Sequence, residues 1–224
     1  RETLDLINIP YWSAKNQRYV SLVTSKAWKE TVDPKLAKAG FKILWYPSNG
    51  ARTFSVRRGN TPILKAADLQ GIKFRVPGSP MLQQFVRLLG ANPTPVAWGE
   101  TPSAMKQGVA DACDVTLTAL WNFRFHDILG HITFANSVHG GQVWSCNLDW
   151  YNNLPGNVRE GLDYASEVTS RQAYAKMPAA ESYAKADMMK SGVKFHNLSN
   201  DAMSEIVNIG GHQRPEYDKF KIKF

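Results

Sequence analysis

Apolar and polar positions alternate between short strand-like runs and longer helix-like stretches along the 224 residues. Leu4 to Ile9 is a brief apolar run stopped by Pro10. Asn16 to Ala39 is polar and helix-like, with Trp28 on its apolar side, a new turn at Asp33-Pro34 and Gly40 as the stop. Phe41 to Tyr46 (FKILWY) is almost continuously apolar, the pattern of a buried strand in a parallel sheet. Pro47 to Gly50 reads as a turn. Arg52 to Arg57 (RTFSVR) alternates with period two, as a strand does.

The most informative stretch is Gly71 to Pro80, GIKFRVPGSP. Ile72, Phe74 and Val76 predict a short buried strand with Arg75 at its exit. Pro77-Gly78 breaks it, Ser79 is a good N-cap, and Pro80 suits the first helical position. Apolar residues at 81, 82, 85, 86, 88 and 89 predict a helix closed by Gly90. A guanidinium is therefore placed between a strand end and a helix N-terminus, where open α/β folds receive anions. Its planar fork can grip a carboxylate through two parallel hydrogen bonds. On this stretch alone, a surface arginine in a strand-to-helix turn is the simpler reading.

Further on, Val96 to Trp98 predicts a strand, and Thr101-Pro102 opens a helix that Gly108 ends. Val109 to Val115 predicts a strand, Thr118 to Leu129 an aromatic helix, and Ile132 to Phe134 and Gln142 to Cys146 two more strands. Pro155 opens a long helical region reaching Lys190, with apolar or small residues at 158, 162, 165 and 168. Pro178 is expected to kink or break it. Val193 to Phe195 is the last expected strand, and Ser199 caps a short helix ended by Gly210-Gly211. This alternation argues for an α/β fold with mostly parallel sheets.

Composition narrows the function. A 43% hydrophobic and 21% charged chain supports a real core. The net charge of +8 is scattered, its densest run being Lys219 to Lys223, so nucleic acid is not an expected partner, whereas an anionic small ligand is favoured. No apolar run has the length of a membrane span. No signal peptide is present, although an opening at Arg1 without Met is compatible with a removed leader. Cys113 and Cys146 fit either a disulfide or two buried thiols.

Catalytic signatures are missing. There is no nucleophile elbow, P-loop, metalloprotease motif or dinucleotide fingerprint. His126, His131, His139, His196 and His212 have no metal-ligand spacing, so neither a metal nor a cofactor is expected. Asp111 and Asp114 fall on opposite sides of one strand and do not form an acid–base pair. Trp98, Trp121 and Trp144 are placed where aromatic walls of a ligand pocket occur, with core packing the competing reading. Arg52 is either a second carboxylate contact or an ordinary strand residue.

The order of several stretches carries more than any one of them. SNGAR (48–52), TPILKAADLQGIKFRVPGS (61–79), GANPTPVAWGE (90–100), AMKQGVADA (104–112) and Leu154-Pro155 before the long helix follow one another. In this order the sequence resembles the extracytoplasmic solute-binding proteins of TRAP transporters, the dicarboxylate-binding type. The resemblance runs from about Leu4 to Leu198. It implies a two-lobed α/β flytrap of the periplasmic-binding-protein fold, with a cleft between lobes and a long kinked helix spanning both. Lobe I is expected from residues 1–51 and 141–180, and lobe II from 52–140 and 181–224. The family's opening βα units have no counterpart before Arg1.

The resemblance also implies a non-catalytic role in the bacterial periplasm: capture of a small organic anion for a TRAP membrane permease. Arg75 matches the arginine that pairs with the ligand carboxylate. Arg52 matches a second contact, Trp98 an aromatic that packs on the ligand, and Gly78 and Val115 line the cleft. Asp114 and Trp144 complete the candidate ligand-binding set. The sequence departs from the family pattern at Val115 (often Asn), Pro102 (Tyr), Lys106 (Gln) and Ala110-Asp111-Ala112 (Val-Asp-Gly). Together with Trp98 these departures point to a less polar pocket, suited to an aromatic or branched-chain carboxylate. Two rivals are a ligand-sensing domain of the same fold feeding a signalling receptor, and an enzyme on an α/β scaffold.

Overall fold

The computed structural model describes residues 2–12 and 15–221. Arg1, Lys223 and Phe224, which bound the expected lobes and the basic C-terminal run, lie outside the described residues. Among these there are nine strands: β1 (Phe41–Trp45), β2 (Ser48–Arg57), β3 (Lys73–Val76), β4 (Asn92–Pro95), β5 (Ala112–Thr116), β6 (Leu129–Phe134), β7 (His139–Gly141), β8 (Trp144–Asn147) and β9 (Lys194–Asn197). They form two sheets. β1 and β8 pair alone, antiparallel. The other sheet has the order β4-β3-β5-β2-β6-β9, with β7 also paired to β2.

The larger sheet is mixed rather than mostly parallel. β3 runs parallel to β4 and β5, and β6 runs parallel to β9. β2, however, is antiparallel to β5, β6 and β7. It is also longer than expected, because Ser48 to Gly50, read as part of a turn, belongs to the strand, whose start pairs with β7. FKILWY is not a buried parallel strand either. With only one partner strand, β1 stays half-exposed, and Phe41 is open to solvent.

The helices follow local signals more closely. The stretch 16–39 divides into α1 (Asn16–Val23), α2 (Lys26–Thr31) and α3 (Asp33–Lys38). The hydroxyl of Ser25 caps α2 by accepting the Trp28 N–H, and Pro34 sits in the first turn of α3. Tyr19, Val23, Trp28 and Leu36 on these helices bury with Tyr46 in a core of their own. α4 (Pro80–Leu88) has the expected cap, Ser79 accepting from the Leu82 N–H at 3.2 Å. Its apolar face supplies Met81, Leu82, Phe85 and Val86 to the core under β2 and β3. Gly90 then turns the chain in the left-handed region, at φ +80°.

After α4 the observed elements shift from expectation. The strand is NPTP itself, not Val96 to Trp98; as an edge strand β4 tolerates proline. α5 (Thr101–Lys106) includes Thr101 as a helical residue whose hydroxyl donates to the Ala97 carbonyl, not as a cap. The aromatic helix stops early, as α6 (Leu117–Asn122), because Arg124 takes a left-handed conformation and Phe125–Asp127 forms a 3-10 turn. α7 (Leu148–Asn152) precedes α8 (Gly156–Lys190), which runs 35 residues straight through Pro178 without a break. α9 (Asn200–Gly210) has the expected Ser199 cap, and α10 (Asp218–Lys221) ends the described chain.

α8 reaches both sheets. Near its start Asp163 pairs with Lys42 of β1 at 3.2 Å, and Tyr174 donates to the Tyr46 carbonyl at 2.6 Å. Near its end Ala184 and Met188 bury in the second core beside the larger sheet, and Asp187 accepts from the Trp121 indole at 2.9 Å. Cys113 and Cys146 sit on different sheets and are both free thiols, so the disulfide reading falls.

Phe85 is fully buried against Phe54 and Tyr11, and a Cβ on Gly210 would lie 2.8 Å from its ring. Truncation leaves a cavity that rigid neighbours cannot fill. Phe85→Ala is expected to lower unfolding free energy by about 3–5 kcal/mol in urea denaturation, and Ser79→Ala by about 1 kcal/mol through loss of the cap.

Candidate functional site

Arg75 is the third residue of β3, and its side chain is 4% exposed. A charge so buried must be satisfied locally. Its Nε and Nη2 both donate to the Val96 carbonyl, at 3.1 and 2.8 Å. One edge of the guanidinium is thus held by backbone, which leaves Nη1 and the second hydrogen of Nη2 for another acceptor. The plane lies over the Trp98 ring, 5.5 Å from its centroid. Trp98 is itself fixed by stacking on Phe125 at 5.5 Å and by an edge contact with Phe123 at 5.0 Å. Burial lowers the Arg75 pKa, and the Arg52 charge lowers it further, opposed by Cys113 and Asp114.

Arg52 stands on β2 opposite Thr116 of β5. Its Nη1 donates to the Asp114 carbonyl at 3.0 Å, while its buried Nε has no partner. Arg52 and Arg75 face one cavity of about 410 Å³. Trp98, Phe123, Ala119, Val115 and Pro77 supply its apolar wall, and Asn49, Asn122, Gln142, Thr116 and Thr118 its hydrogen-bonding groups. Gly140 and Gly141 complete it.

Two chain crossings between the sheets meet at this cavity. One runs from β1 through Pro47 into β2, the other from β7 through Gln142 into β8. They are tied by the Gln142 N–H donating to the Pro47 carbonyl at 3.0 Å. The glycines are required by close approach: a Cβ on Gly140 would collide with Thr116, and one on Gly141 would lie 2.5 Å from the Tyr19 ring. A buried network, Asn16–Ser48–His139, anchors the same crossing, with Ser48 Oγ 2.9 Å from Asn16 and 2.6 Å from His139.

Of the seven candidate residues, Arg75, Arg52, Trp98 and Val115 come together in this cavity. Gly78 does not line it; its neighbour Pro77 does. Trp144 is also elsewhere: β8 turns it onto Trp45 at 5.7 Å, and it is 55% exposed. Asp114 lies behind the wall. Val115 and Thr116, at the end of β5, meet the cavity, whereas the Asp114 side chain, one residue further into the strand, is 2% exposed and does not. Its Oδ1 accepts from the Ser137 hydroxyl at 2.9 Å. Asn49, Asn122, Gln142 and the glycine pair were not anticipated. Asn49 lies three positions before Arg52 on one strand, where simple alternation would put it on the other face, and a register irregularity between Ser48 and Ala51 intervenes; the others arrive by topology.

A second cavity of about 370 Å³ lies across β2, lined by Ala51, Thr53, Glu181 and Lys185 among others, and holds no arginine. Glu181 of α8 packs on Gly50, which has φ +84°, in that region.

The chain matches the family of bacterial extracellular solute-binding proteins, family 7, over residues 1–221. It belongs to that family. The family consists of solute-binding proteins, not enzymes. The chain is 26% identical over 201 residues to the C4-dicarboxylate-binding periplasmic protein of Rhodobacter capsulatus, an alignment covering 88% of this chain and 59% of that protein. It thus spans about three fifths of that relative's length. Its fold is that of TRAP periplasmic solute-binding proteins. One from Shewanella oneidensis, solved with bound succinate, superposes with a TM-score of 0.89 at 19% identity, over 99% of this chain and 70% of that one. Another from Pseudomonas aeruginosa, solved with bound L-malate, gives 0.88 at 17%, over 100% and 75%.

Burial raises the Asp114 carboxyl to about 6, against the opposing pull of Arg52, Ser137 and Arg75. The folded state therefore favours protonated Asp114. That contribution is full below the ordinary aspartate range and is lost as pH rises through about 6. Asp114→Asn is accordingly expected to raise stability at neutral pH by about 1–3 kcal/mol, an advantage that shrinks on acidification in urea titrations at a series of pH values.

Proposed function

We propose that this protein captures a small organic anion, carrying a carboxylate, in the cavity between Arg75 and Arg52, and delivers it in the periplasm to a TRAP-type membrane permease. The observation that carries this reading is the convergence of two buried or half-buried guanidiniums on one cavity beside Trp98. Val96 holds one edge of Arg75, which leaves Nη1 and the second hydrogen of Nη2 to pair with a carboxylate. Preset donors lose little freedom on binding, which favours affinity. Trp98 and Phe123 give the body of the ligand a flat apolar surface, and the surrounding amides hold its polar substituents. This mixture suits an acid with an aromatic or branched body as well as hydroxylated ones.

In this reading, residues 1–51 and 141–180 form one lobe and 52–140 and 181–224 the other. The ligand would favour closure by touching both, since only differential affinity shifts such an equilibrium. The periplasmic relatives and the acid-bound neighbours of the same fold support the ligand class.

Arg75→Ala is expected to lose most affinity for any bound acid, and Arg75→Lys much of it, because an ammonium lacks the fork. Calorimetric titration checks both; undiminished affinity in Arg75→Lys refutes paired hydrogen bonding. A thermal-shift screen over dicarboxylates, sugar acids, keto acids, and branched and aromatic acids names the class. A ligand at about a hundred times its dissociation constant adds about 2.7 kcal/mol of stability.

A further inference from the structure

We propose that the carboxylate is bound together with a proton, taken up from solvent onto the Oδ2 of Asp114 behind the arginine pair. This inference rests on the carboxylate-binding reading of the cavity.

The geometry separates Asp114 from the ligand while keeping it in the same electrostatic neighbourhood. Its backbone carbonyl accepts from Arg52 Nη1, and its side chain, on the Phe54 side of the sheet, is buried within the protein and does not line the cavity. A ligand cannot touch the carboxylate, but the charges on the two sides act on each other through low-dielectric protein. Among the described residues no Lys, Arg or His nitrogen lies within ion-pair distance of Asp114. Its compensation comes from one hydrogen bond, donated by Ser137 to Oδ1, and from the field of the arginines. Oδ2 is buried with no partner, so it is the atom that receives the proton.

The groups facing Asp114 are few. Arg52 comes from β2, Arg75 from β3, Cys113 from β5 itself, Tyr11 from the N-terminal segment and Ser137 from the loop before β7. Burial pushes the Cys113 thiol up to about 12 and raises the Tyr11 phenol, so both stay neutral near neutral pH. Asp114, at about 6, is the group poised to change.

Before binding, the two arginines favour ionised Asp114 against its burial. When a carboxylate pairs with them, its negative charge cancels much of their field at Asp114. Burial, already the larger influence, is then less opposed, and the carboxyl takes a proton from the buffer. By linkage, acid strengthens binding: affinity is greatest below about pH 6 and falls above it, provided the ligand's own carboxyl stays ionised.

The test is calorimetric titration of the protein with succinate, L-malate, glucuronate and phenylacetate, near pH 7, in PIPES and in imidazole. These buffers release a proton with different heats. For each acid that binds, the apparent heats are expected to differ by roughly half a proton or more per ligand, and affinity to fall several-fold from about pH 6 to about pH 8. Asp114→Asn should bind more tightly than the unsubstituted protein at neutral pH, with equal heats in both buffers and no pH slope over that range. Equal heats for a bound acid in the unsubstituted protein overturn the proton uptake and leave the carboxylate site standing. A proton uptake that survives Asp114→Asn assigns it to another group and overturns the role of Asp114. Failure of all four acids to bind overturns the carboxylate reading and this inference with it.

Discussion

The structure depends on the backbone pairing of β2. This one strand of ten residues is hydrogen-bonded to β7 along its first half and to β5 and β6 along its second. Reversing its direction relative to both neighbours lets the chain enter from the β1 side and leave Arg52 at the crossing. Strand alternation then divides the work. Arg52 faces the arginine cavity, while Ala51 and Thr53 face the cavity toward α8. A slip of one residue would exchange the two sets. The phenylalanine cluster beneath, Phe54 with Phe74 and Phe85, holds the register because Phe54 has no other apolar surface on which to bury.

Arg75 illustrates a buried charge kept by its surroundings. Removing a guanidinium from water is costly unless its donors are met. Here a backbone carbonyl on the chain leaving β4 meets two of them, and an indole face receives the plane. Position and orientation are both fixed before any ligand arrives. In the proposed reading, the same desolvation that makes the site expensive to fold makes an incoming anion favourable. Asp114 moderates the excess positive charge from a place the ligand does not reach.

Legibility in the sequence followed the range of the interactions involved. The unit from β3 to Gly90 was readable because its signals are local: a proline–glycine break, a serine cap, period-3.6 apolar spacing and a stop glycine. The family order of motifs then singled out Arg75, Arg52 and Trp98. FKILWY misled because an apolar run does not state how many strands will flank it. The aromatic stretch after Thr118 misled because Phe123 and Phe125 pack on Trp98 rather than along a helix face. Asn122, Gln142 and Gly140-Gly141 reach the cavity from segments far apart in the chain, and no local pattern marks such convergence. Trp144 shows the converse: its aromatic character suggested a wall, but its pairing partner decided which way it points.

The length of α8 has a mechanical consequence. At 1.5 Å per residue, the 22 residues from Gly156 to Met177 form an arm about 33 Å long on one side of Pro178. On the other side, a shorter arm packs beside the larger sheet through Ala184 and Met188 and is hydrogen-bonded to Trp121 of α6 through Asp187. Pro178 contributes no N–H, so the helix is least stiff where the arms join. A bend of about 10° at that joint swings the far end by about 6 Å, carrying the Lys42 and Tyr46 contacts with it. A small rotation at that joint, where Pro178 and Gly50 line one cavity, would therefore become an ångström-scale displacement of the smaller sheet.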